Sequence, residues 1–280
     1  MKVLVTGANG MVARAAVEYC SSIGDDVSAL TRQDLDISDH TAVERIIGEI
    51  RPDAVLNCAA YTNVDGAETE RQLAYDVNAT GVENLAAVCR RFNVGFVTIS
   101  TDYVFDGEKS DFYTQRDTPN PRGVYATTKR YGEILARNTY GRSIIVRTGW
   151  IFGRGGANFL SVINQLLAAG KPVKAISDAF GTPTYAGDLA RRLRELAELD
   201  LPCTYHVTNA GSGTSYLGFV EKVCEIGGFD KSLIGPVSRN DLSRPAPRPA
   251  SSKLACLFSE RLGLGPLPAW EDALNRFLTS

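Results

Sequence analysis

Apolar runs alternate with amphipathic segments through the first half of this 280-residue chain. Short, nearly continuous apolar runs predict buried strands, and apolar residues spaced three or four positions apart predict helices. The predicted strands are 2–6, 26–31, 54–57, 94–100 and 143–147. The predicted helices are 11–23, 38–50 with Ser38 as its cap, 70–92 and 123–139. This alternation predicts an α/β fold with a Rossmann-type doubly wound parallel sheet, covered on both faces.

The second half of the chain is less regular. Its predicted elements are helices at 157–169, 185–199 and 215–226 and a short strand at 205–208. Six of the 12 prolines lie between Pro236 and Pro268, which predicts an extended loop there. We therefore expect a dinucleotide-binding domain over 1–150 and a smaller mixed α/β substrate lobe over 151–280. Some later segments are expected to return to the first domain.

Composition narrows the chemistry. A net charge of −2 gives no basic excess for a nucleic acid polymer, and no apolar run reaches the ~18–20 residues of a membrane span. The start of the chain lacks the long apolar region of a secretory signal, so we expect a cytoplasmic protein. His40 and His206 lie far apart and the six cysteines form no CxxC pair, so no metal site is predicted.

A glycine turn follows the first strand and opens the first helix. Gly7 permits a tight turn, Gly10 lets a pyrophosphate approach the backbone, and small Ala13 allows the helix to pack closely on the strand. The helix N-terminus would then offer free N–H groups to the phosphates. In this strand–turn–helix context, the pattern predicts a bound dinucleotide.

The tip of the second strand should face the adenosine ribose. It carries no carboxylate to bind a 2′-hydroxyl, and Arg32 could bind a 2′-phosphate, which favours NADPH and leaves NADH as the alternative. Asp36 and Ile37, slightly further on, are candidates for a hydrogen bond and an apolar contact with the adenine.

Tyr125 and Lys129 lie one turn apart on a predicted helix and share one face. A free tyrosine has a pKa near 10, and a neighbouring ammonium lowers the pKa of a phenol. Ser100 and Thr101 end the fourth predicted strand, at the sheet edge where ligand sites lie, and a hydroxyl there could bind a substrate carbonyl. Together these residues predict a carbonyl reductase.

Longer motifs identify a family. They are VLVTGANGMVA from Val3, RQDLDISD from Arg32, RPDAVLNCAAYTNVDGAE from Arg51, VNATGVENLA from Val77, STDYVFDG from Ser100, YATTK from Tyr125, VRTGWIFG from Val146, DAFGTPTYAGDLA from Asp178 and RPAPRPASSKL from Arg244. Over nearly the whole chain they resemble the extended short-chain dehydrogenases/reductases, and within them the dTDP-4-dehydrorhamnose reductases. The resemblance implies NADPH-dependent reduction of the 4-keto group of a nucleotide-linked 6-deoxyhexose.

The resemblance also implies residue roles. The implied catalytic triad is Thr101, Tyr125 and Lys129, in which Tyr125 donates the proton, Thr101 orients the carbonyl, and Lys129 lowers the tyrosine pKa and holds the nicotinamide ribose. The implied or predicted cofactor residues are Gly7, Gly10, Met11, Val12, Arg32, Asp36, Ile37, Ala59, Ala60, Tyr61, Thr62, Ser100, Tyr125 and Lys129. The implied substrate residues are Thr101, Asp102, Trp150 and Arg248.

Some positions depart from the family pattern. Met11 stands in place of a glutamine, Ala13 of a glycine, Gly149 of a serine and Ser251 of an asparagine. The triad is intact, so these changes bear on the exact substrate more than on the chemistry. Asp102 is followed by Tyr103, so the Asp-Glu pair that 4,6-dehydratases carry is missing.

Three other functions stay open. The chain could be a reductase for another deoxysugar nucleotide, a 4-epimerase, or a regulatory subunit similar to the methionine adenosyltransferase beta subunits. A homodimer is one candidate assembly, and the sequence does not fix the oligomeric state.

Overall fold

The computed structural model describes residues 1–279. The strands are β1 (Lys2–Thr6), β2 (Asp26–Leu30), β3 (Ala54–Asn57), β4 (Gly95–Thr101), β5 (Ile144–Thr148), β6 (Ile151–Phe152), β7 (Val173–Ile176), β8 (Phe180–Gly181), β9 (Thr184–Tyr185), β10 (Thr204–His206), β11 (Thr214–Ser215) and β12 (Ile234–Val237). The helices are α1 (Met11–Ser22), α2 (His40–Ile50), α3 (Arg71–Tyr75), α4 (Gly81–Phe92), α5 (Val124–Thr139), α6 (Phe159–Ala168), α7 (Ala186–Leu199), α8 (Tyr216–Gly227) and α9 (Trp270–Thr279). Within residues 1–279, no helix combines the length and hydropathy needed to cross a membrane.

Six parallel strands form the central sheet, in the order β2-β1-β3-β4-β5-β10. The chain moves outward from β1 in one direction to β2 and in the other through β3, β4 and β5. This reversal leaves a crevice at the carboxyl ends of the strands, where ligands bind in open α/β sheets. The predicted α/β fold with a doubly wound parallel sheet is confirmed.

Helices cover both faces of this sheet. Val3 and Val5 of β1 pack in one core with α1 and α7, whereas Leu4 packs in a second core with α2 and α4. All three side chains are fully buried. Because successive residues of a strand point to opposite faces, a strand covered on both sides must be apolar throughout. This explains the continuous apolar runs in the sequence.

The chain returns to the sheet after the predicted boundary at residue 150. Helix α7 packs on α1, and β10 pairs in parallel with β5, with Tyr205 opposite Val146. Residues 186–206 therefore belong to the layer of the first 150 residues, and the last sheet strand is supplied from the second half of the chain.

The smaller lobe has a core of its own, built from α6, α8 and α9. Phe152, Ile163 and Phe219 are fully buried in it, and Trp270 is nearly so. Three pairs of short strands edge the lobe: β6 with β9, β7 with β12, and β8 with β11. The segment between β12 and α9 contains only short 3₁₀ turns, as its prolines predicted.

Two local predictions need correction. The cap of α2 is Asp39, whose carboxylate accepts from the Ala42 N–H at 3.1 Å, and the Ser38 hydroxyl instead donates to Asp36. The single helix predicted over 70–92 is interrupted by a π-helical turn at Asp76–Thr80. Such turns insert an extra residue and are frequent at functional sites.

His206 at the end of β10 is buried between three groups. Its Nδ1 lies 3.1 Å from the Tyr113 carbonyl oxygen and 3.0 Å from that of Ala255, so Nδ1 carries the proton and donates it. Its Nε2 faces Arg147 Nη1 at 3.4 Å. Burial, reinforced by the charge of Arg147, lowers the pKa of His206 to about 4. His206 is therefore neutral in the folded protein at neutral pH.

This environment predicts acid sensitivity. The folded pKa lies below the unfolded value, so the stabilisation is present above about pH 6.5 and is lost as the pH falls towards 4. The unfolding free energy of the wild-type protein falls between these pH values. We expect this fall to be smaller by about 3 kcal/mol in His206→Gln, which has no imidazole to protonate. Urea unfolding at each pH measures it. His40→Gln, at the exposed histidine of α2, should keep the original slope, and parallel curves for His206→Gln would refute the assignment.

Candidate active site

A cavity of about 440 Å³ opens at the carboxyl ends of β1, β3, β4 and β5. Its volume lies in the range of small-molecule sites. The predicted site residues on its wall are Gly10, Met11, Val12, Ala59, Ala60, Thr62, Ser100, Thr101, Asp102, Tyr125, Lys129 and Trp150. Residues from both halves of the chain thus meet at the crevice of the sheet.

The glycine turn forms one end of this cavity. Gly7 adopts a φ of 69°, and a Cβ there would lie 2.8 Å from the Ala59 Cα. Gly10 is the N-cap of α1 and has no side chain to bond the first N–H groups of the helix, whose first turn carries no acidic residue. A helix N-terminus without a side-chain cap favours an anion at this position.

Asn78 joins the loop after β3 to the helix that carries Tyr125. Its side chain accepts from the Tyr61 N–H at 2.9 Å and donates to the Tyr61 carbonyl at 3.1 Å. The same amide donates to the Thr128 hydroxyl on α5 at 3.2 Å. Sequence reasoning missed this role, because the signal is a buried asparagine in a π-helical turn that the helical pattern does not reveal.

Helix α5 presents Tyr125 and Lys129 to the cavity from successive turns. The Lys129 ammonium donates to the Ile99 carbonyl of β4 at 2.7 Å. Thr101 lies at the end of β4, where its hydroxyl accepts from the Tyr103 N–H at 3.2 Å and donates to Asp102 at 3.0 Å. The structure therefore brings the three predicted catalytic residues to one wall of one cavity.

The sequence predicted that Lys129 lowers the pKa of Tyr125, but in the structure that pKa is raised. Burial raises the pKa of Tyr125 to about 12, against a hydrogen bond from Thr101. Burial likewise lowers the pKa of Lys129 to about 8. Desolvation disfavours the charged form of each group, and the charge of Asp102 further raises the pKa of Tyr125. Tyr125 is therefore protonated at neutral pH, which is the state that an acid requires.

Ser100 has a different partner from the one expected. Its hydroxyl donates to Glu133 Oε1 at 2.6 Å, and both residues are buried. The proton of Ser100 is thus engaged with α5, whereas the proton of Thr101 is donated to Asp102 at the cavity wall.

Asp102 is a buried carboxylate at the cavity wall. Burial raises the pKa of Asp102 to about 6, opposed by hydrogen bonds from Ser252 and Thr101. Within residues 1–279, no group hydrogen-bonds its Oδ2 atom. A Cβ at Gly149 would lie 2.5 Å from Oδ1 and closer still to Cγ and Oδ2. The carboxylate therefore occupies the space that a side chain at position 149 would need.

Aromatic rings close the side of the cavity formed by the smaller lobe. Trp150 adopts a φ of 50° and stacks on Tyr216, with ring centroids 4.0 Å apart. Its Nε1 donates to the Ser252 hydroxyl at 3.3 Å. Tyr103 approaches Tyr125 edge-on at 6.1 Å. Sequence reasoning did not single out Tyr103, Tyr216 or Ser252 as site residues; the STDYVFDG motif contains the first and the RPAPRPASSKL motif the last, but no quoted motif contains Tyr216.

Comparison with known proteins places this architecture. The model of the RmlD substrate binding domain matches residues 1–280. The chain belongs to this family. A dTDP-4-dehydrorhamnose reductase of Streptomyces griseus is 40% identical over 282 residues, with 97% of this chain and 91% of the relative covered. A dTDP-4-keto-6-deoxy-D-glucose reductase of Streptomyces niveus is 34% identical over 274 residues, with 98% and 95% covered.

A solved family structure has the same fold. The dTDP-4-dehydrorhamnose reductase of Bacillus anthracis, crystallised in complex with NADP, superposes with a TM-score of 0.95 at 34% identity. The match covers 100% of this chain and 99% of that one. The resemblance seen in the sequence motifs is thereby confirmed for the family and the fold.

The other predicted site residues lie outside the cavity wall. Arg32 is exposed and faces Asp36 at 3.6 Å, while Ile37 is buried in the core with α2 and α4. The Tyr61 hydroxyl donates to Glu70. Arg248 bonds Asp65 at 3.0 Å and the Ala246 carbonyl at 2.9 Å. Gly7 shapes the turn described above and does not itself line the cavity. The ligand-binding roles expected for these residues stay predictions.

The contact between Asp102 and Gly149 predicts a position-specific cost. Gly149→Ala forces the buried carboxylate to move, so we expect a loss of about 1–3 kcal/mol in unfolding free energy, measured in urea. Gly141→Ala is the matched control, because apart from its two chain neighbours no residue among 1–279 has a heavy atom within 4 Å of a Cβ there. Equal effects of the two substitutions would contradict the packing described.

Proposed function

We propose that the protein reduces the 4-keto group of a nucleotide-linked 6-deoxyhexose with NADPH, and that its substrate is dTDP-4-dehydro-L-rhamnose. One observation carries the proposal. Tyr125, Lys129 and Thr101 share a cavity with a helix N-terminus that has no side-chain cap. An anion site and a protonated acid on one wall suit a reductase that binds a phosphorylated cofactor beside a carbonyl.

The residues present fit a dinucleotide. The backbone of Gly10, Met11 and Val12 would hold the pyrophosphate, and Ala59, Ala60 and Thr62 would line the adjoining part of the site. We assign Arg32, Asp36 and Ile37 to the adenosine end, beyond the cavity wall. When bound, NADPH supplies the hydride that a carbonyl reduction needs. The NADP complex of the Bacillus anthracis relative supports this choice.

Tyr125 is the proposed proton donor. Its raised pKa keeps the phenol protonated, so that it can deliver a proton to the oxygen of the carbonyl as negative charge develops there. Thr101 would turn its single hydroxyl proton from Asp102 to the same oxygen and so orient it. Lys129, with a pKa of about 8, is mostly charged at neutral pH and is placed to hold a ribose hydroxyl. These groups lie on β4 and α5, so their geometry is fixed before substrate binds.

The substrate end of the cavity supports a sugar ligand. Asp102 Oδ2 is a buried acceptor that no group in residues 1–279 satisfies, so a hydroxyl of the sugar would relieve it. The stacked rings of Trp150 and Tyr216 offer an apolar surface beside it. We place Arg248 near the nucleotide portion of the substrate. Its positive charge acts on the pKa values of Tyr103 and Tyr216, which line this end of the cavity.

A different sugar stereochemistry is the second candidate. The Streptomyces niveus relative is named for a 4-keto-6-deoxy-D-glucose nucleotide, so related chains act on more than one sugar. The 4-epimerase and regulatory-subunit alternatives have weaker support, since the reductase relatives share full-length similarity and the triad occupies a formed cavity. A homodimer is retained as a proposal only.

The first test removes the acid. Tyr125→Phe should lower turnover by ~10²-fold or more, because the proton donor is lost, while NADPH binding is retained. Reduction of the dTDP-4-keto sugar is followed by nicotinamide absorbance. Tyr131→Phe, an exposed tyrosine on the same helix, is the control and should be silent. Near-normal turnover of Tyr125→Phe would defeat the proposed chemistry.

The second test addresses the cofactor. If Arg32 binds a 2′-phosphate, Arg32→Ala should raise the KM for NADPH by about tenfold and leave that for NADH nearly unchanged. Arg45→Ala removes an exposed arginine from α2 and should change neither. Wild-type protein that uses NADH as efficiently as NADPH would refute the assignment of Arg32.

A further inference from the structure

Glu133 is a buried carboxylate one turn beyond Lys129 on α5. Its side chain is 2% exposed, and it accepts four hydrogen bonds. Arg147 of β5 donates from Nε to Oε1 at 2.8 Å and from Nη2 to Oε2 at 2.7 Å. Ser100 of β4 donates to Oε1 at 2.6 Å, and Arg130 donates to Oε2 at 2.7 Å. Both oxygens are therefore fully satisfied inside the protein.

These bonds fix the helix that presents Lys129. Ser100 follows Ile99, whose carbonyl accepts from the Lys129 ammonium at 2.7 Å. The lysine and the glutamate are thus held by adjacent residues of β4, and Arg147 ties the same turn to β5. Rotation or sliding of α5 over the sheet would break all of these contacts at once. The position of Lys129 at the cavity depends on this arrangement.

We propose that Glu133 is a positioning residue for Lys129: its carboxylate anchors the lysine-bearing turn to β4 and β5 and supplies the negative charge that keeps the ammonium protonated at the cavity wall. The inference rests on the proposed function for what Lys129 does in turnover. It deepens that function, because it identifies what holds the lysine in its charged state.

The charges around Lys129 agree with this role. The groups whose charges act on it are Glu133 on its own helix and Cys58 after β3. Tyr125 and Asp102 share the cavity wall with it, and Arg130 and Arg147 bond to Glu133. Burial lowers the pKa of Lys129 to about 8, and Glu133 is the principal opposing charge, followed by Cys58. Burial alone would raise the pKa of Glu133, but Arg147 and its other donors hold that pKa below the ordinary value. Glu133 therefore stays ionised when Lys129 titrates.

The test measures the charge of Lys129 directly. An amine-acylating reagent reacts only with the neutral lysine, so the labelling rate of the peptide containing Lys129, followed by mass spectrometry across pH, gives its midpoint. Glu133→Gln should move this midpoint to lower pH by at least about half a unit, because the supporting charge is removed. Glu83→Gln, which removes a carboxylate from neighbouring α4, should leave the midpoint in place.

A second variant guards against misfolding. Glu133→Gln leaves the buried charge of Arg147 without its partner, whereas the double variant Glu133→Gln with Arg147→Met removes both charges. The double variant should show a midpoint shift of the same sign. An unchanged Lys129 midpoint in folded protein of either variant would overturn the proposal.

Turnover of the dTDP-4-keto sugar, measured on the same samples, tests a separate claim. If the wild-type protein lacks reductase activity while Glu133→Gln still lowers the Lys129 midpoint, the proposed function is refuted and the role of Glu133 is supported. If the wild-type protein is an active reductase but neither Glu133 variant shifts the midpoint, the proposed function is supported and the role of Glu133 is refuted.

Discussion

The buried contact between Glu133 and Arg147 joins the helix that carries Tyr125 and Lys129 to the central strands of the sheet. A buried ion pair contributes little net stability, since the desolvation of two charges offsets their attraction. Its effect here is geometric, because a bidentate guanidinium–carboxylate pair accepts only one relative orientation. The orientation of α5 over β4 and β5 follows from it, and so does the place of both side chains in the cavity.

The pair formed by Glu133 and Arg147 is also connected to residues away from the cavity. Arg147 also faces His206, and His206 donates to carbonyls at Tyr113 and Ala255. A polar chain thus runs from α5 through β5 and β10 to the segment that carries Ser252, the partner of Trp150. Segments far apart in sequence meet the cavity in one relative position because each link is buried and bonded. The return of β10 to the sheet is what makes this connection.

Features that depend on residues close together in the chain, such as a helix face or a turn, could be predicted from the sequence. Tyr125 and Lys129 share a face because they are four residues apart on a helix, and the glycine turn follows from its position after β1. The sequence could not predict contacts between distant segments. Asp102 and Gly149 directly follow two different strands, and their close approach appears only when β4 and β5 lie side by side. The cap at Asp39 was missed because Ser38 is equally able to cap.

The cavity wall carries three titratable groups whose pKa values burial shifts, and Glu133 on α5 is a fixed charge outside that wall. Burial moves the pKa of Tyr125 up, that of Asp102 up and that of Lys129 down, so each is shifted towards its uncharged form. Glu133 is different because four donors hold it ionised. A protonated phenol can release a proton when a negative oxygen forms beside it. Within residues 1–279 no histidine lines this wall, and burial keeps the phenol of Tyr125, the proposed acid, protonated.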